Sequence, residues 1–144
     1  YLVHSARHFY GCEPQHVYAV LSKEDGYEVE THATILLDFG NGRVANLVTG
    51  FNNKYKSQQV LWGSKGVLSL ERAYALPPDF CSTLVIETQE SQQSYQMPAC
   101  NHFEEEMRYF VANYATHAEE WRNEFLNQTK VLMRIKENEV GVKE

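Results

Sequence analysis

The stretch from Thr31 to Leu70 constrains the fold more than any other part of the chain, because strand-length runs alternate there with turn residues. THATILLDF and RVANLVTGF are rich in β-prone residues and flank Gly40-Asn41-Gly42, a connection that tolerates positive φ and lets a chain reverse. The pattern predicts a hairpin. YKSQQVLWGSKGVLSLE then supplies two more β-prone runs, broken at Gly63-Ser64-Lys65-Gly66. The expected centre is an antiparallel meander of about four strands of ordinary length. Within THATILLDF, Ala33, Ile35, Leu37 and Phe39 share one face, and His32, Thr34, Leu36 and Asp38 share the other. The first face needs cover from helices. The mixed face is left for water, a ligand or a second subunit.

The flanks supply those helices. Leu2, Ala6, Phe9 and Tyr10 fall near one side at helical spacing before Gly11, so residues 1–10 are predicted to form a helix. Pro14 turns the chain, HVYAVLS reads as a strand, and the polar segment Lys23 to Glu30 reads as the loop of a second hairpin. After Leu70, ERAYALPPDF is irregular because Pro77-Pro78 cannot lie in a central strand. TLVIETQ and QQSYQM are predicted to form a final strand pair around Glu90-Ser91. Asn101 is a helix N-cap with Glu104 placed for a capping box, and Phe103, Met107, Phe110, Val111 and Tyr114 recur as one stripe expected to be buried. A further helix is predicted from about Ala118 to Asn138, with Trp121, Phe125, Leu132 and Ile135 along one side, ending before Gly141. The fold class is therefore α+β, an open, predominantly antiparallel sheet with helices packed on one face.

With 144 residues, 43% of them hydrophobic, a single domain over 1–144 is expected. The net charge of −6 comes from 19 acidic and 13 basic residues without a basic cluster, which argues against a nucleic-acid partner. No apolar run approaches the roughly 20 residues needed to cross a bilayer, and YLVHSARHFYG lacks the features of a secretory signal. The expectation is a soluble, cytoplasmic protein. A chain that opens on Tyr1, without a methionine, is also expected to be one piece of a longer protein. Three dispersed cysteines and six dispersed histidines form no ligand pattern, so no metal site is expected. The glutamates at 104–106 and 119–120 fit helix-dipole partners better than catalytic acids. There is no GxGxxG, GxxxxGK[ST] or GxSxG. Spacing alone reaches an α+β domain with no assignable activity.

Particular residues carry the reading further. YLVHSARHFYGCEP resembles the start of the C-terminal domain in the glucose-fructose oxidoreductase, inositol dehydrogenase and MocA-like (Gfo/Idh/MocA) family. In that family an Asp, three residues and a His or Tyr lead into a helix carrying Arg and closing in Gly-x-Glu-Pro. Tyr1 falls on the His/Tyr position, Arg7 on the helix arginine, and Gly11, Glu13 and Pro14 on the close. The similarity continues through DFGNGR, through WGSKGVLSLERAY, and through NHFEEEMRYF, which looks like the helix returning toward the cofactor domain. The resemblance implies a sheet domain of the dihydrodipicolinate-reductase-like kind. It further implies an NAD(P)-dependent oxidoreductase in which a Rossmann domain precedes this one, and in which this domain supplies substrate contacts and the oligomer interface. The NAD or NADP would belong to the full-length protein. Neither the Asp before Tyr1 nor the family's Glu-Lys-Pro stretch, with its catalytic lysine, is in these residues, so the fragment alone is expected to bind no dinucleotide and to be inactive.

The resemblance makes Tyr1 the candidate catalytic residue. A phenol beside a lysine ammonium would have its pKa drawn toward working pH and could exchange a proton with the substrate as hydride moves. By position alone Tyr1 reads instead as an ordinary half-buried helix aromatic, and only the resemblance sets the catalytic reading level with it. Tyr55, Arg72, Tyr74 and His102 are the candidate contacts for a sugar, polyol or nucleotide sugar. Each has an ordinary alternative: cross-strand packing for Tyr55, a structural arginine and a core tyrosine at 72 and 74, and an exposed helix start at 102. A rival reading is a non-catalytic, family-derived domain that binds a partner or dimerises through its sheet. Under either reading the mixed face is expected to mediate self-association.

Overall fold

The computed structural model describes residues 1–138 and divides the chain into two compact units, Tyr1–Asn53 with the chain from His117 onward, and Lys54–Thr116. The first unit begins with α1 (Leu2–Tyr10), followed by β1 (His16–Ser22), β2 (His32–Asp38) and β3 (Val44–Gly50) in an antiparallel sheet of order β1-β2-β3. The register places Val17 opposite Leu37, and Ile35 opposite both Ala19 and Leu47. These inward residues form one core with Phe39, with Val3 and Ala6 of α1, and with Val131 and Ile135 of α2 (His102–Glu137). Alternation puts the apolar half of β2 under both helices, as the sequence pattern requires. Leu37 and Phe39 are almost fully buried, at 0% and 1% exposure.

The turn after β2 is shaped by residues that accept positive φ: 77° at Gly40, 56° at Asn41 and 76° at Gly42. The Asp38 carboxylate accepts the Gly40 N–H at 2.8 Å, and the Phe39 N–H donates to the Arg43 carbonyl at 2.8 Å. α1 stops at Gly11, in the left-handed region, whose N–H donates to the Arg7 carbonyl at 2.9 Å. Tyr10 then lies on Phe39, with ring centroids 4.5 Å apart, and donates its hydroxyl to the Val44 carbonyl.

The second unit is a separate antiparallel sheet of order β4-β5-β6-β7, made of β4 (Gln59–Gly63), β5 (Gly66–Leu70), β6 (Thr83–Glu87) and β7 (Gln92–Gln96). The β4–β5 hairpin turns through Ser64-Lys65, with Gly63 paired to Gly66. A Cβ on Gly66 would run into the Glu87 carbonyl oxygen of the neighbouring strand. β6 and β7 turn at residues 88–91, where the Thr88 hydroxyl accepts the Ser91 N–H at 3.1 Å.

Three expectations need correction. The meander expected from Thr31 to Leu70 is divided between two sheets. Strand pairing ends at Gly50 and Phe51, and Asn52 adopts φ 58°, which takes the chain out of the extended conformation. The two C-terminal helices are one, α2, of 36 residues. Neither Gly nor Pro occurs between Asn101 and Asn138, so nothing interrupts the backbone ladder. The stripe expected to be buried is also exposed: 52% at Phe103, 61% at Met107, 75% at Val111 and 56% at Tyr114, with Phe125 at 70%. Helical spacing shows that a face is apolar without showing what covers it. At the start of α2 the cap is present in altered form. The Glu104 N–H donates to the Asn101 side-chain oxygen at 3.4 Å, while the Asn101 side-chain amide donates to the Glu104 carboxylate. Among the described residues no helix is long and apolar enough to cross a membrane.

Candidate functional site

Each unit carries its own constellation. In the first, Tyr1 precedes α1, and its carbonyl accepts the Ser5 N–H at 2.8 Å, so the residue sits at the N-cap with 78% of its surface exposed. Six residues on, Arg7 is 4% exposed and reaches three partners at once. Its Nε and Nη2 donate to the two Glu13 carboxylate oxygens at 2.7 and 2.6 Å; its Nη1 donates to Glu124 at 2.6 Å and to Gln128 at 2.9 Å. The bidentate pair with Glu13 is the geometry that suits a planar guanidinium. Glu13 and then Glu124 hold the guanidinium protonated well above its ordinary value, and Arg7 in turn holds the Glu13 carboxyl below the usual carboxylate value. This network ties α1 and the following turn to α2. It is a structural clip, since every nitrogen of the fork is occupied by protein.

In the second unit, Tyr55 and Arg72 are brought together. The Arg72 Cζ lies 5.3 Å from the Tyr55 ring centroid and 4.5 Å from that of Phe80, so the guanidinium contacts two aromatic rings. The backbone on either side is fixed. Ser57 and Arg72 form a parallel bridge, the Ala73 N–H donates to the Ser57 carbonyl at 2.6 Å, and the Ser82 hydroxyl donates to the Arg72 carbonyl at 2.9 Å. Tyr74 is joined to the same serine: its N–H donates to the Ser57 Oγ at 3.0 Å, and that hydroxyl donates to the Tyr74 carbonyl. The Ser57 hydroxyl, and after it the Arg72 cation, lower the pKa of the Tyr55 phenol. No ion pair among the described residues includes Arg72, and its Nε is buried without a partner.

His102 opens α2, with its ring on Phe103 at 4.2 Å between centroids and its N–H donating to the Cys100 carbonyl. Among the described residues it shares no hydrogen bond or ring contact with Tyr55 or Arg72. The sequence reading named Tyr55, Arg72 and Tyr74, with His102, as separate candidates; the structure brings the first three near one another and adds Ser57, Ser82 and Phe80 around them. Phe80 was the one with a signal, as a lone aromatic after Pro77-Pro78 in a loop that otherwise has little to pack.

A dinucleotide cradle needs a glycine-rich turn from a strand into a helix N-terminus. Both sheets here are antiparallel, and the described residues supply no such turn, so they do not fit that group. The three cysteines are free thiols, with Cys81 and Cys100 exposed.

Two open antiparallel sheets and two helices, α1 and α2, define an α+β domain. Residues 1–69 match the family described as the GFO/IDH/MocA C-terminal domain. Over those residues the chain is similar to the C-terminal domains of the Gfo/Idh/MocA oxidoreductases. It is 26% identical over 138 residues to the dTDP-3,4-didehydro-2,6-dideoxy-α-D-glucose 3-reductase of Actinomadura kijaniata, covering 94% of this chain and 42% of that protein. It is 31% identical over 111 residues to the enzyme of the same name from Streptomyces antibioticus, covering 77% of this chain and 34% of that one. The crystal structure of KijD10, a 3-ketoreductase from A. kijaniata in complex with NADP and TDP-benzene, superposes with a TM-score of 0.89 at 26% identity over 96% of this chain and 43% of that one. The oxidoreductase yvaA of Bacillus subtilis shares the fold, with a TM-score of 0.66 at 15% identity, over 94% of this chain and 46% of that one. The chain thus spans less than half the length of the curated relatives it matches.

Proposed function

We propose that this chain is the substrate-binding and oligomerisation domain of an NAD(P)-dependent oxidoreductase acting on a sugar, a polyol or, most specifically, a nucleotide-linked ketosugar. The single observation that carries the reading is the match over nearly the whole chain to an NADP-bound 3-ketoreductase, in sequence and in backbone together. In this reading the cofactor, NAD or NADP, is held by a Rossmann domain elsewhere in the full-length protein, and these residues alone do not turn over.

The chemistry assigned to the chain's own residues is limited. Tyr1, exposed at the head of α1, presents a phenol oxygen that gives or takes the proton at the substrate oxygen. Arg72 and Tyr55 contact the substrate, with Tyr74 and His102 as further contacts. The protein acts in the cytoplasm as a homo-oligomer formed through the outer face of the first sheet. The direct test is a reductase assay of the full-length protein with NADPH and NADH against sugars, polyols and dTDP-linked ketosugars. Turnover of a nucleotide-linked ketosugar is expected, with Tyr1→Phe reducing kcat by about 10²-fold, the scale of one acid–base group. No turnover of any carbonyl sugar with either cofactor would overturn the reading. Turnover unchanged in Tyr1→Phe would remove that residue from the chemistry.

A further inference from the structure

Arg72 differs from the other arginines whose partners the structure describes. Arg7 and Arg108 are neutralised by glutamates, and Arg43 and Arg134 donate to backbone carbonyls. Arg72 donates to neither. Its charge is unanswered, yet its position is fixed twice over, by the Phe80 and Tyr55 rings on its guanidinium and by Ser57 and Ser82 on its backbone. A solvent-dispersed arginine needs none of this. Holding an uncompensated guanidinium against aromatic rings, with a buried Nε that no protein acceptor satisfies, preserves an unfavourable arrangement in the free protein. Such an arrangement is what an anion receptor requires, because the cation is ordered before the anion arrives and binding spends little on ordering it.

We propose that Arg72, held against Tyr55 and Phe80, is an oxyanion-binding residue that takes a phosphoryl group of the substrate's diphosphate. The terminal guanidinium nitrogens offer a planar fork that matches two phosphoryl oxygens. A diphosphate, with two charged phosphoryl groups, draws the unpaired cation more strongly than a single carboxylate does. Neutral sugar hydroxyls would leave the charge unanswered. The oxyanion site stands on the geometry of the second unit; its assignment to the diphosphate of a nucleotide-linked sugar rests on the function proposed above.

The experiment is calorimetric binding of inorganic diphosphate, thymidine diphosphate, glucuronate and glucose to the full-length protein, with Arg72→Met and Arg72→Lys beside the unaltered sequence. Thymidine diphosphate and diphosphate are expected to bind. Arg72→Met should weaken both by roughly ten- to a hundredfold, the range for loss of charge-assisted hydrogen bonds. Arg72→Lys, which keeps the charge and loses the fork, should fall between. Should Arg72→Met not fold, Arg72→Lys decides, its melting temperature confirming that it is native. Weaker diphosphate binding in Arg72→Lys supports the site, and unchanged affinity overturns it. Failure of the unaltered protein to bind either diphosphate also overturns it, as does Arg72-dependent binding of glucuronate but not diphosphate. These outcomes separate from the proposed function. Arg72-dependent diphosphate binding without sugar turnover would sink the activity and keep the site, and ketosugar turnover with Arg72-independent diphosphate binding would do the reverse.

Discussion

At the scale of single residues, burial and charge distinguish the two arginines. Arg7 is buried while its partners Glu13 and Glu124 keep 45% and 46% of their side-chain surface exposed, so the cost of breaking the network depends on which side is removed. Arg7→Met leaves two carboxylates that can turn to water, and about 1–3 kcal/mol of stability should be lost. Glu13→Gln with Glu124→Gln leaves a guanidinium buried without a counter-charge, and the loss should be larger, about 3–5 kcal/mol. Urea melts of the three proteins give the order directly; a double variant more stable than Arg7→Met would contradict it. The network also sets an acid limit. Arg7 holds the Glu13 carboxyl below its unfolded value, so the stability it contributes is present above the unfolded pKa and is lost as pH falls through the lower folded value. Stability should therefore decline below roughly pH 4, and less steeply in Glu13→Gln, as pH-dependent melts would show. The resemblance picked out both Arg7 and Glu13, but only the structure pairs them. Glu124 and Gln128 lie more than a hundred residues away, and no local pattern announces them.

At the scale of elements, alternation and turn chemistry in the sequence were enough to locate most strands. HVYAVLS, the apolar face of β2, the Gly40-Asn41-Gly42 turn and the Ser64-Lys65 turn all occur where the residues predict, because each depends on neighbours a few positions apart. What was not legible depends on distant partners. The division into two sheets turns on the local conformation of Asn52, and the exposure of the Phe103 to Tyr114 stripe turns on what lies beside α2. In the candidate site, the family resemblance singled out Tyr55 and Arg72, whereas Phe80 reaches Arg72 from a loop whose path no periodicity encodes. The β2 face gives the sharpest test of the fold. Leu37 lies at the centre of the core, where α1, α2 and the sheet leave it no room to be replaced by water, so Leu37→Ala should cost about 3–5 kcal/mol. Leu36, one residue earlier on the opposite face, should cost well under half of that when changed to Ala. Equal losses in denaturant melts would mean that the strand does not hold this register.

At the scale of the whole molecule, the first sheet has one face sealed and one open. The register aligns Tyr18, Leu36 and Asn46 across the open face, and Val20, Thr34 and Val48 in the next row. Exposure there is 52% at Tyr18, 50% at Val20 and 72% at Val48, a concentration of β-branched and aromatic surface that water solvates poorly. A two-fold association would cover it with a second copy of the same rows, since an isologous contact pairs a patch with itself. Val48 is the most exposed of these residues, so placing a charge there tests the interface with little effect on the fold. In the full-length protein, Val48→Lys should raise the dissociation constant of the oligomer at least about tenfold, because two lysines would be brought together at the covered patch. Its melting temperature, measured at a concentration where the subunits are separate, should stay within the range of a surface change, about 0.5 kcal/mol. Sedimentation velocity over a hundredfold concentration range reads the shift. A protein that is monomeric throughout before any substitution, or a Val48→Lys variant that associates as tightly as the original, would show that the open face of this sheet meets something other than a second copy.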